Sequence, residues 1–321
     1  MKSCLLLVIA LAASISVPAA ADESYPNKPV QIIVGYPPGG ATDITARLLA
    51  KELTETNKQP FLVVNKAGVG GMLGMNQVAK AAPDGYTLGM AVSGVLATGP
   101  HLVRHMLYDP MTAFEPIILT NKAPMLLIVS PDANFNTVGS MIKEAKARPP
   151  GELMFGSGSQ AAELTMQLIN AKAGVKLGLV PYPGGVQAAI DVIAGRVPIM
   201  VDSVAAQQVN IKAGKLKAIA VLDSSRSAVL PDVPTVAEAG FPGYEAVGWN
   251  GVVAPKGTPE AIIKKLNDQL RQIMAKTEVR ERLINLGFEP TSSSPKEFDR
   301  FIQADYVKWG AVVKEAGMVA Q

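Results

Sequence analysis

Apolar runs of strand length alternate with segments of helical apolar spacing along nearly the whole chain, and this alternation constrains the fold more than any other feature. Strands are predicted at 30–34, 61–64, 87–92, 116–129, 153–156, 178–182, 198–202, 216–222 and 247–253. Helices are predicted at 42–56, 72–81, 137–147, 160–173, 185–195, 204–213, 259–275, 278–286 and 295–316. Strand–helix alternation implies α/β architecture with mainly parallel sheets, because a parallel neighbour needs a crossover helix. One strand-like stretch is unusually long. Pro116–Thr120 leads through Asn121-Lys122-Ala123-Pro124 into Met125–Val129, which is enough chain to pass from one sheet to another. A return crossing falls near 217–230, or alternatively at Val252-Val253-Ala254-Pro255. Two lobes are therefore expected. The first comprises residues 22–120 and a returning segment, 230–321; the second, 121–229, is inserted between them. The last helix, with Phe298, Phe301, Ile302, Tyr306 and Trp309 at roughly helical spacing, packs as core.

The N-terminus reads as an address. Lys2 precedes an apolar stretch from Leu5 to Ile15, and Ala19 and Ala21 fit a small-residue cleavage site before Asp22. Residues 1–21 are thus predicted to be a signal peptide removed after Ala21, with a periplasmic destination; the apolar part is too short for a membrane span. The chain of 321 residues has a single cysteine, Cys4, which leaves with that segment. The remainder then has no disulfide, no thiolate nucleophile and no thiolate metal site, and depends on buried apolar surface for stability. With 30 basic against 27 acidic residues, charge offers no case for nucleic acid.

Several predicted strand-to-helix turns are rich in glycine and nearly free of side-chain cations. Tyr36-Pro37-Pro38-Gly39-Gly40 opens one helix, Gly68-Val69-Gly70-Gly71 a second, Gly156-Ser157-Gly158-Ser159 a third, and Tyr182-Pro183-Gly184-Gly185 a fourth. Glycines permit tight turns in any protein. A set of such turns at the carboxyl ends of strands also describes a shared cleft, where the free N–H groups and positive ends of helices favour an anion. Tyr36, Phe155, Tyr182 and Trp249 fall at predicted strand ends and serve as core or as aromatic walls.

Most catalytic chemistry has no counterpart. The phosphate-loop pattern and the dinucleotide fingerprint are absent; Gly68-x-Gly70-Gly71-x-x-Gly74 is one residue too long, and no following acidic residue is placed to hold a ribose. Phe155-Gly156-Ser157-Gly158-Ser159 is not a serine-hydrolase elbow. The two histidines, His101 and His105 in HLVRH, share a helical face by spacing. They lack both the glutamate of a zinc-protease motif and a third ligand, so the expectation is a surface or boundary helix and no metal. Asp43 and Asp202 follow strand ends; Asp43, like Thr42, has a helix-capping reading beside a ligand-contact one. No acid, base and nucleophile assemble into a catalytic set. Neither an enzyme nor a cofactor is expected.

Five stretches carry a family resemblance: residues 25–53 (YPNKPVQIIVGYPPGGATDITARLLAKEL), 63–88, 180–202 (VPYPGGVQAAIDVIAGRVPIMVD), 213–221 and 230–259. In this order they resemble the extracytoplasmic solute-binding proteins of tripartite tricarboxylate transporters, the Bug family, over essentially all of the chain after residue 21. The resemblance implies a type II periplasmic-binding fold, two α/β lobes with mostly parallel sheets joined by hinge strands. It further implies a monomer that clamps a small carboxylate and delivers it to integral membrane permease subunits. By the family's pattern the first carboxylate-gripping turn is Pro38-Gly39-Gly40-Ala41-Thr42-Asp43 with Tyr36 beside it. The second-lobe turn is Gly156-Ser157-Gly158-Ser159-Gln160. Ser93 reaches the cleft, and Asp202 and Trp249 border it. The second turn is shorter than the family's usual form, and Glu163 stands where a histidine is usual. A cleft-facing Glu163 would favour an amine or hydroxyl at that end of the ligand; a solvent-facing one would only complement the helix dipole. Two alternatives accompany this reading: a ligand-loaded sensor subunit for a signalling receptor, and a secreted enzyme on the same fold.

Overall fold

The computed structural model describes residues 25–315, apart from 243, and residue 317; the predicted signal peptide and its cleavage site lie outside the described residues. In chain order the elements are β1 Val30–Val34, α1 Ala41–Asn57, β2 Phe61–Asn65, α2 Met72–Ala79, β3 Thr87–Val92, β4 Phe114–Ala123, β5 Met125–Val129, α3 Val138–Lys146, β6 Met154–Ser157, α4 Gln160–Ala173, β7 Gly178–Pro181, α5 Gly185–Ile193, β8 Ile199–Ser203, α6 Val204–Lys212, β9 Lys217–Val221, β10 Gly248–Pro255, α7 Glu260–Ala275, α8 Thr277–Asn285, β11 Glu289–Pro290 and α9 Pro295–Glu315.

These strands form two sheets, one per lobe, with orders β11-β4-β10-β3-β1-β2 and β7-β6-β8-β5-β9. Each is a parallel set interrupted by a reversed strand. In the first sheet β10 runs against β3 and β4, with the two-residue β11 also reversed at the edge. In the second, β5 runs against β8 and β9. The two longer reversed strands, β5 and β10, are the ones that begin just after a crossing between sheets. The long apolar stretch does cross, but as two strands: Pro124 has no N–H for the ladder and separates β4 from β5. The chain returns between Ala246 and Gly248. Val236 and Ala246, assigned from the sequence to the returning segment, instead hydrogen-bond at the end of β9 in the second sheet: the Val236 N–H donates to Val221 O, and the Ala246 N–H to Leu222 O.

Buried apolar surface fills both sides of the first sheet, as expected of strands covered by helices on each face. On one face Ile32, Val34, Leu88 and Met90 pack with Leu49 and Leu53 of α1 and Leu266 and Leu270 of α7. On the other, Ile33 and Ala91 join a cluster that reaches through residues 95–97 and Trp309 of α9 to Leu127 and Phe155 of the second lobe. Among the described residues no helix is long and apolar enough to cross a membrane.

One local expectation is corrected. His101 and His105 do not share a helix. After β3 the chain makes a wide turn at Gly94–Thr98 and a short 3-10 turn at Gly99–His101, then continues without helical structure through His105. A Cβ on Gly99 would overlap Gly94 O, so the turn closes there. His101 Nε2 lies 2.8 Å from Tyr306 O, and its ring packs on Tyr306 with centroids 4.2 Å apart, so this histidine anchors α9.

Candidate ligand-binding cleft

The crossing strands place the glycine-rich turns. Met125, the first residue of β5, pairs with Ser203 at the carboxyl end of β8. Gly248, the first of β10, pairs with Ala123 at the carboxyl end of β4, and Asn250 pairs with Val92 at the end of β3. The carboxyl ends of the parallel strands in both sheets therefore meet at the crossing, with the turns before α1, α2, α4 and α5 around it. In open α/β sheets this end is where ligands bind.

In the first lobe, Gly40 is the N-cap of α1, with extended backbone and no side-chain cap. The first turn thus presents N–H groups without intrahelical partners at the positive end of a 17-residue helix. Gly39 has φ +83°, which a glycine adopts without strain. Asp43, 2% exposed, fixes this turn from beneath. Its Oδ2 accepts from the Gly39 N–H and from Arg47 Nε, each at 2.9 Å, and its Oδ1 accepts from Asn65 Nδ2 at 2.8 Å. Burial alone would raise this carboxyl. The hydrogen bonds from Arg47, Gly39 and Asn65 and the Arg47 charge outweigh burial and hold it below the usual carboxylate range. Thr42 Oγ1 donates to Asn250 Oδ1 at 3.2 Å, and Asn250 Nδ2 donates to Asn121 Oδ1 at 2.6 Å. This buried amide chain ties the turn to both crossing strands. Tyr36 joins the turn to its neighbour, donating from its hydroxyl to Gly70 O at 2.9 Å.

In the second lobe the contacts are closer and more local. Ser157 Oγ donates to Ser159 O at 2.8 Å, and Ser159 caps α4 by accepting from the Ala162 N–H at 3.2 Å. Gly158 lies directly against the next turn, where any Cβ would overlap Gly184 C and Gly185 N. Two helix starts, of α4 and α5, are thereby brought side by side. Asp202 stands behind them: its Oδ1 accepts from the Ser203 N–H and its Oδ2 from Gln207 Nε2, both at 2.7 Å. A Cβ on Gly185 would come within 2.5 Å of Asp202 Oδ2. Burial raises this carboxyl against the two hydrogen bonds that lower it. Glu163, in the first turn of α4, is half-buried, and burial raises its carboxyl also.

The sequence profile described as "Tripartite tricarboxylate transporter family receptor" matches residues 45–318. The chain belongs to the tripartite tricarboxylate transporter receptor family. Protein BugT of Bordetella pertussis is 37% identical over 309 residues, covering 95% of this chain and 94% of that protein. Among solved structures, R. palustris Rpa4515 with adipate superposes with a TM-score of 0.79 at 34% identity, over 92% of this chain and 100% of the other. MatC from Rhodopseudomonas palustris with bound malate gives 0.73 at 31% identity, over 90% and 100%.

Within this family member, the expected first-lobe residues Tyr36, Gly39, Gly40, Ala41, Thr42 and Asp43 lie on one turn. Ser93 is close by, 3.8 Å from where a Cβ of Gly248 would stand. Ser157, Gly158, Ser159 and Gln160 lie on the second-lobe turn with Asp202 behind. The expectation for Trp249 is corrected. Its indole is 1% exposed, donates from Nε1 to Asp305 Oδ2 at 2.8 Å, and packs edge-on against Phe298 and Phe301 of α9. Side chains alternate along a strand, so it is the neighbour, Asn250, that reaches the α1 turn. Phe155 is likewise core, at 0% exposure. Tyr182 is half-buried and donates to Asp191 Oδ2 at 2.8 Å. Sequence reasoning missed Arg47, Asn65, Asn121 and Asn250. Of these only Arg47 left a local sign, its i, i+4 spacing from Asp43.

Proposed function

We propose that this chain is a periplasmic solute receptor, monomeric and non-catalytic. It captures a small organic carboxylate between its lobes and delivers it to the integral membrane subunits of a tripartite tricarboxylate-type transporter. One observation carries this reading: helix starts rich in backbone N–H groups converge on the crossing end of both sheets. Such donors hold a carboxylate without a buried cation. The polar side chains nearby, Asp43, Ser157, Ser159 and Asp202, are engaged in shaping turns, which suits holding a ligand better than transforming one. The adipate and malate carried by two structural neighbours make dicarboxylates the first class to try. A ligand gripped by both turns favours the closed arrangement of the lobes and shifts the population towards it.

The test is a thermal-shift screen of the protein lacking residues 1–21 against small carboxylates, amino acids and aromatic acids. A ligand at a hundred times its dissociation constant stabilises the fold by about 2.7 kcal/mol. A hit recovered chemically unchanged after incubation supports a receptor, and conversion of the hit supports an enzyme. If no compound shifts the melt, and mass spectrometry of the denatured protein finds no co-purified ligand, the reading fails.

A further inference from the structure

The joint between the lobes contains a second polar assembly, away from the glycine-rich turns. Lys122, near the end of β4, pairs in register with Glu289 of β11 in the first lobe. Its ammonium lies 2.7 Å from Glu245 Oε1 and 3.6 Å from Asp223 Oδ1, both on the segment that joins β9 to β10. Asp223 is fully buried. Its Oδ1 also accepts from the Ser224 N–H at 2.6 Å and from Ser224 Oγ at 3.1 Å. Its Oδ2 is buried without a partner, and so is Oε1 of Glu289, whose Oε2 accepts from Ser225 Oγ at 3.5 Å. The other charges facing this assembly come through Glu245, which borders a groove with Lys172, Lys308 and Glu315. Nearby, the corner between α8 and β11 abuts α6 of the second lobe: Gln208 Nε2 donates to Asn285 O at 3.3 Å, and a Cβ on Gly287 would lie 2.6 Å from Ala205 N.

Three carboxylates around one ammonium leave two uncompensated negative charges when all are ionised, a costly state in a buried joint. One proton halves that excess and serves both unpartnered oxygens, because an acid on one carboxyl donates to the other. We propose that Asp223 and Glu289 form a proton-dependent latch between the lobes. With one proton shared, the pair ties the β11 edge of the first lobe to the end of β9 in the second. With the proton lost, two adjacent carboxylates repel and the joint loosens. Burial, then the like charge of Asp223 and the hydrogen bond that only a protonated Glu289 can donate to it, push the Glu289 carboxyl up to about 7, against the opposing effects of Lys122 and Ser225.

The sign follows from linkage. A carboxyl raised in the folded chain from 4.5 to about 7 keeps a proton that the unfolded chain has released. The stabilisation is complete below 4.5 and is lost as pH rises through about 7. The experiment uses the ligand-free protein, so its result is independent of whether a carboxylate binds the cleft. Melting temperature and the small-angle scattering radius of gyration are followed from acid to neutral pH in the native chain and in Glu289→Gln, an uncharged mimic of the protonated acid. Expected are a falling melting temperature and a growing radius in the native chain, with both profiles flattened in the variant. Asp223→Asn, which removes the like charge and adds a donor, is expected to flatten them too and serves if the first variant is unstable. The same pH profile in native and variants overturns the latch, as does a native radius that stays constant while the melting temperature falls.

Discussion

The turn that opens α1 in the first lobe is held by side chains reaching in from elsewhere: Asp43 and Arg47 from the helix, Asn65 from β2, Asn250 from β10. The turn that opens α4 in the second lobe is held by its own serines and by direct backbone contact between Gly158 and Gly184-Gly185. Both present a helix start to the same crossing, so chemically similar ends are reached by different supports. The consequence is a division of vulnerabilities. The first turn depends on a charge and its partners, and has room around its cap. The second depends on the absence of Cβ atoms.

The sharpest test of that division is Gly158→Ala. The added methyl meets the backbone of the Gly184–Gly185 peptide, which cannot rotate away as a side chain would. Denaturant unfolding is expected to show a loss of about 3 kcal/mol, the upper part of the range for overpacking. Calorimetry is expected to show binding of the best carboxylate abolished. An unperturbed stability would mean that the two second-lobe turns are not in close contact in solution.

Next comes Asp43→Ala, which leaves the Gly39 N–H, Asn65 and Arg47 without their shared acceptor. A loss of about 2 kcal/mol is expected, with the half-exposed Arg47 contributing little of it. The pH dependence sharpens the test. A carboxyl held below its ordinary value of 3.8 contributes stability that is present above that value and lost as pH falls through the lower, folded-state value. Asp43→Asn should therefore flatten the acid limb of the stability profile, measured by urea midpoints. A smaller effect belongs to Asn250→Ala, which leaves the buried Asn121 Oδ1 without its donor and the half-buried Thr42 hydroxyl without its acceptor; about 1.5 kcal/mol is expected in the same unfolding assay.

These residues also show what was legible beforehand. Strand and helix periodicity marked nearly every element, and β1 and β3 have the bounds that their apolar runs predict. The glycine turns were legible because tight backbone leaves a local signature. The supports of the first turn were not. Asn250 lies 208 residues from Thr42 and 129 from Asn121, and only sheet register brings them together. Trp249 was misplaced because a strand-end position does not say which face the side chain takes, and strand parity sends this indole to α9. The histidine pair misled for a related reason. Spacing of i, i+4 has this meaning only within one α-helix, and the helical turns at Gly94–Thr98 and Gly99–His101 stop short of His105.

The smallest expected effect is the most discriminating one. Gly40, like Gly158, is a glycine at the mouth of a helix, although Gly40 is the N-cap of α1 and Gly158 immediately precedes the N-cap of α4, Ser159. Their surroundings differ. The nearest atom to a Cβ on Gly40 is Pro37 O at 3.6 Å, an ordinary contact, and its φ of −74° suits any residue. Alanine is a poorer N-cap than serine or asparagine, but Gly40 offers no side-chain cap to lose, so Gly40→Ala should change stability by no more than about 0.5 kcal/mol. Carboxylate affinity should fall only slightly, since the N–H groups of the first turn keep their positions. Proline at the same place removes one of those N–H groups and should weaken binding more than alanine does. A full loss of binding in Gly40→Ala, with stability unchanged, would show that the ligand approaches this turn as tightly as Gly184 approaches Gly158, and the two lobes would then share one requirement instead of dividing two.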